Sequence, residues 1–166
     1  MLPFRNGSTM SKLTSPPSSD LAAQKSWLSV DDFQSEMLEG VSRTFALTIP
    51  QLPAALCRVV SNAYLLCRIV DTIEDEPALT GARKNYFCQQ FLRTLSVPRN
   101  AETFSRQLYV SLSTQTPPAE HELIRNVPRV VRITRSFSEQ QREALQRCVR
   151  AMAKGMGEFQ LRSEKQ

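Results

Sequence analysis

Apolar side chains recur every three or four positions through most of the chain, and this spacing predicts a series of amphipathic helices. The clearest run covers residues 54–75. Pro53 suits the first turn of a helix there, and Pro77 ends it. No stretch alternates apolar and polar side chains as a strand would, so the pattern predicts an all-α fold. The apolar positions of the long run are Leu65, Leu66, Ile69, Val70 and Ile73.

Capping residues mark helix starts on both sides of this long helix. Asp31 and Asp32 follow Ser29, and acidic residues suit the positive end of a helix dipole. Ser138 with Gln141 three residues later forms a capping box that opens a last long helix. Between these points the spacing predicts helices over 82–95, 101–112 and 119–137, the last with a kink at Pro128.

The first 28 residues differ from the rest of the chain. They are rich in Ser, Thr and Pro and show little periodicity, so we expect a flexible arm over 1–28. The remainder, 29–166, is long enough to form a single domain with a hydrophobic core.

One polar stripe runs along the predicted 54–75 helix. Its members are spaced by threes and fours and therefore share a face. Because the other sides of the segment are apolar, as is typical of a buried helix, we expect the stripe to point into the interior and to need counter-ions. Acidic pairs at this spacing are also common on solvated faces, and the end of the helix could be exposed. The stripe consists of Tyr64, Arg68, Asp71, Glu74 and Asp75.

The stripe carries the donors of a magnesium and diphosphate site. Asp71 and Asp75 lie one turn apart, about 5.4 Å along the helix axis, and Glu74 can join them. Carboxylate oxygens are hard donors that favour Mg²⁺ over zinc, and Mg²⁺ completes its shell with water and substrate phosphates. Arg68 could hold a departing diphosphate, while Tyr64 could donate a hydrogen bond or stabilise a cation with its ring.

The charge balance agrees with an acidic ligand. The chain has a formal net charge of +5 and a pI near 9.3, which favours phosphates and would suit loose contact with an anionic membrane surface. Lys and Arg are scattered without a basic stripe or interleaved aromatics, so we do not expect nucleic-acid binding.

The cysteines and the lack of a long apolar run indicate a cytoplasmic protein. The four cysteines lie far apart with no CxxC pair, and we interpret them as buried free thiols; with the single His121, they offer few ligands for zinc. No apolar run is long enough to cross a bilayer, and the start has no apolar core of the signal-peptide type. The cysteines are Cys57, Cys67, Cys88 and Cys148.

Three short motifs together resemble the squalene and phytoene synthase family, the head-to-head prenyl synthases. Residues 42–45 read Ser-Arg-Thr-Phe, and residues 64–75 contain Tyr-x-x-x-Arg-x-x-Asp-Thr-Ile-Glu-Asp. Residues 152–159, Met-x-x-Gly-Met-Gly-Glu-Phe, are similar to a following helix of squalene synthases. The combination is specific where each piece alone is weak, and it covers roughly residues 31–160.

The resemblance implies an isoprenoid-synthase-type helical bundle around a central cavity. The metal ligands that it implies, for Mg²⁺ bridging to a diphosphate, are Asp71, Glu74 and Asp75. The residues that it places at the diphosphate of a prenyl donor are Ser42, Arg43, Thr44 and Arg68. The residues to which it assigns a catalytic role are Tyr64, Arg68, Asp71 and Asp75.

The implied reaction is a Mg²⁺-dependent condensation of two farnesyl diphosphates through presqualene diphosphate to squalene, with NADPH for the reduction. Phytoene or dehydrosqualene synthesis and a non-catalytic helical remnant are the alternatives. The family carries a second acidic motif, yet no Asp follows Asp75. We therefore expect an incomplete, N-terminal portion with little or no activity by itself. Peripheral membrane contact for product release is compatible with the family, and the sequence indicates no oligomeric state.

Overall fold

The computed structural model describes residues 29–163, with side chains described for 29–155. Over that range the chain forms eight α-helices and no strand, which confirms the all-α prediction, while the predicted arm lies outside the described residues. None of these helices combines the length and apolar character needed to cross a membrane. The helices are α1 (Val30–Val41), α2 (Arg43–Thr48), α3 (Ala54–Asp75), α4 (Gly81–Ser96), α5 (Ala101–Tyr109), α6 (Pro118–Arg125), α7 (Val127–Ser136) and α8 (Glu139–Ser163). Short 3₁₀ turns lie at Ile49–Gln51 and Pro98–Asn100.

Helix α3 lies at the centre of the fold and contacts α1, α4, α6, α7 and α8. Its bounds are those that the flanking prolines predict, because Pro53 caps its start and Pro77 cannot continue it. The side chains of Leu65, Leu66 and Ile69 are fully buried against the surrounding helices. The hydrophobic core is thus built around this one helix.

Both capping predictions are confirmed. The Ser29 hydroxyl accepts the N–H of Asp32 at the start of α1. At the start of α8, the Ser138 hydroxyl accepts the N–H of Gln141, whose side-chain oxygen in turn accepts the N–H of Ser138 at 3.0 Å.

Two helix predictions are wrong in their bounds. The single kinked helix predicted over 119–137 is two helices, α6 and α7, which meet at Asn126. Pro128 lies in the first turn of α7, where a missing N–H costs nothing, so it starts a helix rather than bending one. The helix predicted to reach Leu112 ends at Tyr109, and Leu112 is half-buried in the turn that follows.

The buried carboxylate of Glu76 fastens that following segment to the end of α3. It accepts the Thr116 hydroxyl at 2.5 Å and the N–H groups of Ala78 and Ser113 at 2.8 and 2.9 Å. Burial by itself would raise the pKa of Glu76, but these hydrogen bonds outweigh burial and lower the pKa from 4.5 to about 2.

Glu76→Gln should therefore cost roughly 2 kcal/mol of unfolding free energy at neutral pH, because hydrogen bonds to a charged acceptor are lost. A carboxylate whose pKa is lowered by folding stabilises the protein above its unfolded pKa and stops doing so as the pH falls through its folded pKa. The difference between wild type and variant should shrink from pH 4.5 and vanish near pH 2. Urea titrations across this window measure it, and exposed Glu143→Gln is the control; a pH-independent difference would contradict the prediction.

A second buried polar group joins α1, α3 and α7. The Asn62 side chain, which is fully buried, donates to the Thr134 hydroxyl at 2.7 Å and accepts from the Gln34 amide at 3.3 Å. The same Gln34 amide donates to the Arg58 main-chain oxygen at 3.0 Å. Because these partners satisfy one another inside an apolar core, they fix how the three helices are aligned.

Candidate functional site

The polar stripe of α3, called the α3 wall below, is only partly buried. The side chains of Arg68 and Asp71 are 26% and 29% exposed, Tyr64 is half-buried and Asp75 is exposed. The expectation that the stripe points into the interior is therefore not met by residues 29–155. The apolar flanks of α3 are buried against neighbouring helices, whereas the stripe keeps part of its surface exposed within residues 29–155, and its last residue, Asp75, lies at the exposed helix end.

A buried glutamate that the sequence did not single out holds the arginine of the stripe. Glu120, on α6, accepts a hydrogen bond from Nη2 of Arg68 through Oε1, and its Oε2 accepts the Thr72 hydroxyl at 3.0 Å. Nη1 of Arg68 lies 3.8 Å from Oδ2 of Asp71. Arg68 is thus held between carboxylates of two different helices. A signal was present, since Glu120 precedes buried Leu123 by three positions and shares its helix face.

These charges perturb one another. Burial disfavours a charged guanidinium, yet the carboxylate of Glu120 keeps the pKa of Arg68 above its ordinary value. The pKa of Asp71 is raised, mainly by burial; Arg68 opposes this, and Asp75 and Glu120 add to it. The Nε of Arg68 is buried and finds no hydrogen-bond acceptor among the described residues. The wall therefore has carboxylates that would gain from a cation and an arginine with an unsatisfied donor.

Glu74 lies apart from the two aspartates. Its Oε1 is 3.8 Å from Sγ of Cys88 on α4, and Lys84 of the same helix donates to its main-chain oxygen. Burial, followed by the nearby Glu74 carboxylate, raises the pKa of the Cys88 thiol to about 12. No three His, Cys, Asp or Glu side chains within residues 29–155 gather closely enough to hold a metal ion by themselves. Asp71 and Asp75 are the carboxylates that could share one with a ligand.

The Ser42–Phe45 segment reaches the stripe through an aromatic contact. Ser42 caps α2, its hydroxyl accepting the N–H of Phe45. The ring of Phe45 lies 4.5 Å, centroid to centroid, from the ring of Tyr64. Arg43 and Thr44 are exposed at the start of α2. The fold thus brings the two predicted motifs, whose aromatic residues Phe45 and Tyr64 are 19 positions apart in the chain, into direct contact.

A cavity of about 600 Å³ lies elsewhere, between α1, the first half of α3 and the start of α8. It is lined by residues such as Gln34, Val59 and Phe137, and none of the predicted site residues lines it. The candidate site is therefore the α3 wall and not this cavity.

Comparison with known proteins agrees with the motifs. A family model described as squalene/phytoene synthase matches residues 38–164. A squalene synthase of Botryococcus braunii is 30% identical over 128 residues, 76% of this chain and 25% of that protein. A lycopaoctaene synthase of the same organism is 30% identical over 127 residues, 76% of this chain and 26% of that protein. A squalene synthase of Solanum lycopersicum is 49% identical over 43 residues, 26% of this chain and 10% of that protein. The chain thus spans about a quarter of the length of the Botryococcus relatives.

Proposed function

The chain belongs to the squalene/phytoene synthase family, and from this premise we propose that the stripe of α3 is one acidic wall of the diphosphate site of a Mg²⁺-dependent prenyl transferase. The observation that carries the proposal is Arg68, held by buried Glu120 and 3.8 Å from Asp71. The Asp71 carboxylate attracts cations, and the Arg68 guanidinium beside it attracts anions. Together they suit a diphosphate with a bound metal ion, which carries both charges.

Asp71 and Asp75 fit Mg²⁺ by the chemistry of their donors. Mg²⁺ is usually held by one or two carboxylates together with substrate phosphates and water, so two protein ligands are enough. The raised pKa of Asp71 marks a place where a cation would be favourable. When bound, Mg²⁺ would neutralise charge on the diphosphate and favour its departure. The Glu74 carboxylate, which lies against Cys88 of α4, would assist Asp71 and Asp75 by its nearby negative charge.

The other residues would bind and orient the substrate. Arg68 would donate to oxygens of the departing diphosphate, and Glu120 would keep its guanidinium in one orientation. The aromatic faces of Tyr64 and Phe45, which contact each other, would lie beside the allylic cation that departure leaves behind. The residues that would donate to the diphosphate from α2 and its cap are Ser42, Arg43 and Thr44.

The proposed substrate is farnesyl diphosphate, two molecules of which would be joined head to head through presqualene diphosphate to squalene. The relatives named squalene synthase favour this product, and NADPH is the reductant that such a product requires. Phytoene or dehydrosqualene synthesis would differ in prenyl length or in the reduction. The second candidate is a non-catalytic helical remnant, which the half-exposed state of the wall favours.

The test uses the full-length product of the gene that encodes this chain, incubated with farnesyl diphosphate and Mg²⁺, with and without NADPH. We expect squalene only when NADPH is present, and no detectable product from Asp71→Asn. Asp31→Asn is the matched control, because Asp31 pairs with Arg58 on the surface and away from the stripe. Its turnover should equal that of the wild type.

Each outcome separates the candidates. Product that persists in Asp71→Asn would overturn the assignment of the wall, and a different hydrocarbon would replace squalene as the product. If no product forms, Mg²⁺-dependent binding of farnesyl diphosphate is measured by calorimetry on the same protein. Absence of both binding and turnover would favour the remnant and contradict the proposal.

A further inference from the structure

Two cysteines face each other where α3 packs against α8. Sγ of Cys67 on α3 lies 3.8 Å from Sγ of Cys148 on α8. Cys67 is half-buried and immediately precedes Arg68, whereas Cys148 is exposed, so the expectation that all four thiols are buried is wrong. The pair is separated by 81 positions in the chain, so its closeness is a product of the fold and not of local sequence.

We propose that Cys67 and Cys148 form a modification site, a dithiol that closes to a disulfide on reaction with a small-molecule disulfide such as oxidised glutathione. The bond would join α3 to α8 one helical turn before Asp71. A disulfide needs its sulfur atoms about 2 Å apart. The present separation of 3.8 Å must therefore shorten, which calls for rotation of the two side chains and a slight adjustment of the helices.

The reaction balances as two thiol–disulfide exchanges. Cys148, being exposed, attacks one sulfur of the small disulfide as its thiolate; the small disulfide's S–S bond breaks and one small thiol leaves. Cys67 then attacks the Cys148 sulfur of the mixed disulfide, the new protein S–S bond forms and the second small thiol leaves. The two cysteines give up two electrons and two protons, and the small disulfide is reduced to two thiols.

The environment of the pair assigns the order of attack. Burial, with smaller contributions from Cys148 and Asp71, raises the pKa of Cys67 to about 12, so Cys67 is a poor first nucleophile. Its place beside Cys148 makes it the resolving thiol once a mixed disulfide has formed. The other two cysteines are less suited, because Cys88 is buried beside Glu74 and Cys57 is half-buried on an earlier turn of α3.

The test is carried out on the reduced 166-residue chain. It is incubated with oxidised glutathione, the remaining thiols are alkylated, and intact mass and a peptide map are recorded. We expect two of the four thiols to escape alkylation, no retained glutathione, and one cross-linked peptide pair containing Cys67 and Cys148. Dithiothreitol should restore all four thiols.

Variants report on the two steps separately. Cys67→Ser should keep a stable glutathione adduct on Cys148, because nothing resolves it, and Cys57→Ser should form the cross-link as the wild type does. The proposal is overturned if the wild type keeps the adduct at Cys148, if all four thiols are alkylated, or if the cross-link involves Cys57 or Cys88. Circular dichroism of the reduced proteins checks folding, and the wild-type result decides the question even if a variant does not fold.

Discussion

Replacing Leu66 by Ala should lower the free energy of unfolding by about 3–5 kcal/mol. Leu66 is fully buried in the middle of α3, which other helices contact on several sides. Because those helices also contact one another, they cannot all move inward to fill the space that the lost methyl groups leave. Such a loss is a large part of the stability of a typical domain, roughly 5–15 kcal/mol. Urea denaturation followed by circular dichroism measures it.

The same substitution on the same helix provides the control. Leu56 is 48% exposed near the start of α3, so Leu56→Ala removes much less buried surface. We expect a change within about 0.5 kcal/mol, as for ordinary surface substitutions. Equal losses for Leu56→Ala and Leu66→Ala would mean that the helices around α3 do not enclose Leu66.

Glu120→Ala should cost about 3 kcal/mol, because it removes one partner of a largely buried ion pair. The charge of Arg68 would lose its bonded carboxylate, and the Thr72 hydroxyl would lose an acceptor. The value lies at the lower end for such pairs because the Arg68 side chain is 26% exposed and water can reach part of it. Chemical denaturation of the variant, with Arg68→Ala and the double variant to complete the cycle, measures the coupling between the two side chains.

Glu143→Ala is the control, because Glu143 belongs to an exposed ion pair. Glu143 pairs with Arg147 at 3.7 Å, and the two side chains are 61% and 69% exposed. Surface pairs of this kind contribute roughly 0–1 kcal/mol. If Glu120→Ala were as mild as Glu143→Ala, or if the cycle showed no coupling between Glu120 and Arg68, Glu120 would not be the anchor of the arginine.

Local chemistry predicted α3 and the caps well, because prolines and capping hydroxyls act on their own neighbours. The prediction of one helix over 119–137 failed because the break between the two helices leaves the apolar spacing unchanged. The apolar spacing continues from Leu123 and Ile124 through Val127 and Val130 without losing its phase, so periodicity alone cannot reveal that one residue, Asn126, separates two helices. The position of Pro128 could have indicated a start, since proline is favoured in first turns.

The sequence alone could group only those members of the candidate site that share one face of α3. Helical spacing places Glu74 about 60° to one side of Asp71 and Asp75 about 40° to the other, so spacing could not tell that Glu74 is drawn towards Cys88. Glu120 is 52 positions from Arg68, and nothing local to either residue encodes their pairing. Whether the stripe is enclosed depends on which elements lie over it, and that too is a property of the tertiary fold.

The hydrogen bonds of Asn62 give α3 a fixed rotational setting about its own axis. Turning the helix by one residue, about 100°, would carry this amide away from Thr134 and Gln34 and leave it unpaired among apolar side chains. The direction in which the stripe faces is thus determined by a residue that takes no part in its chemistry. The side chains of the stripe could therefore be replaced by other metal- or phosphate-binding side chains without changing the orientation of α3.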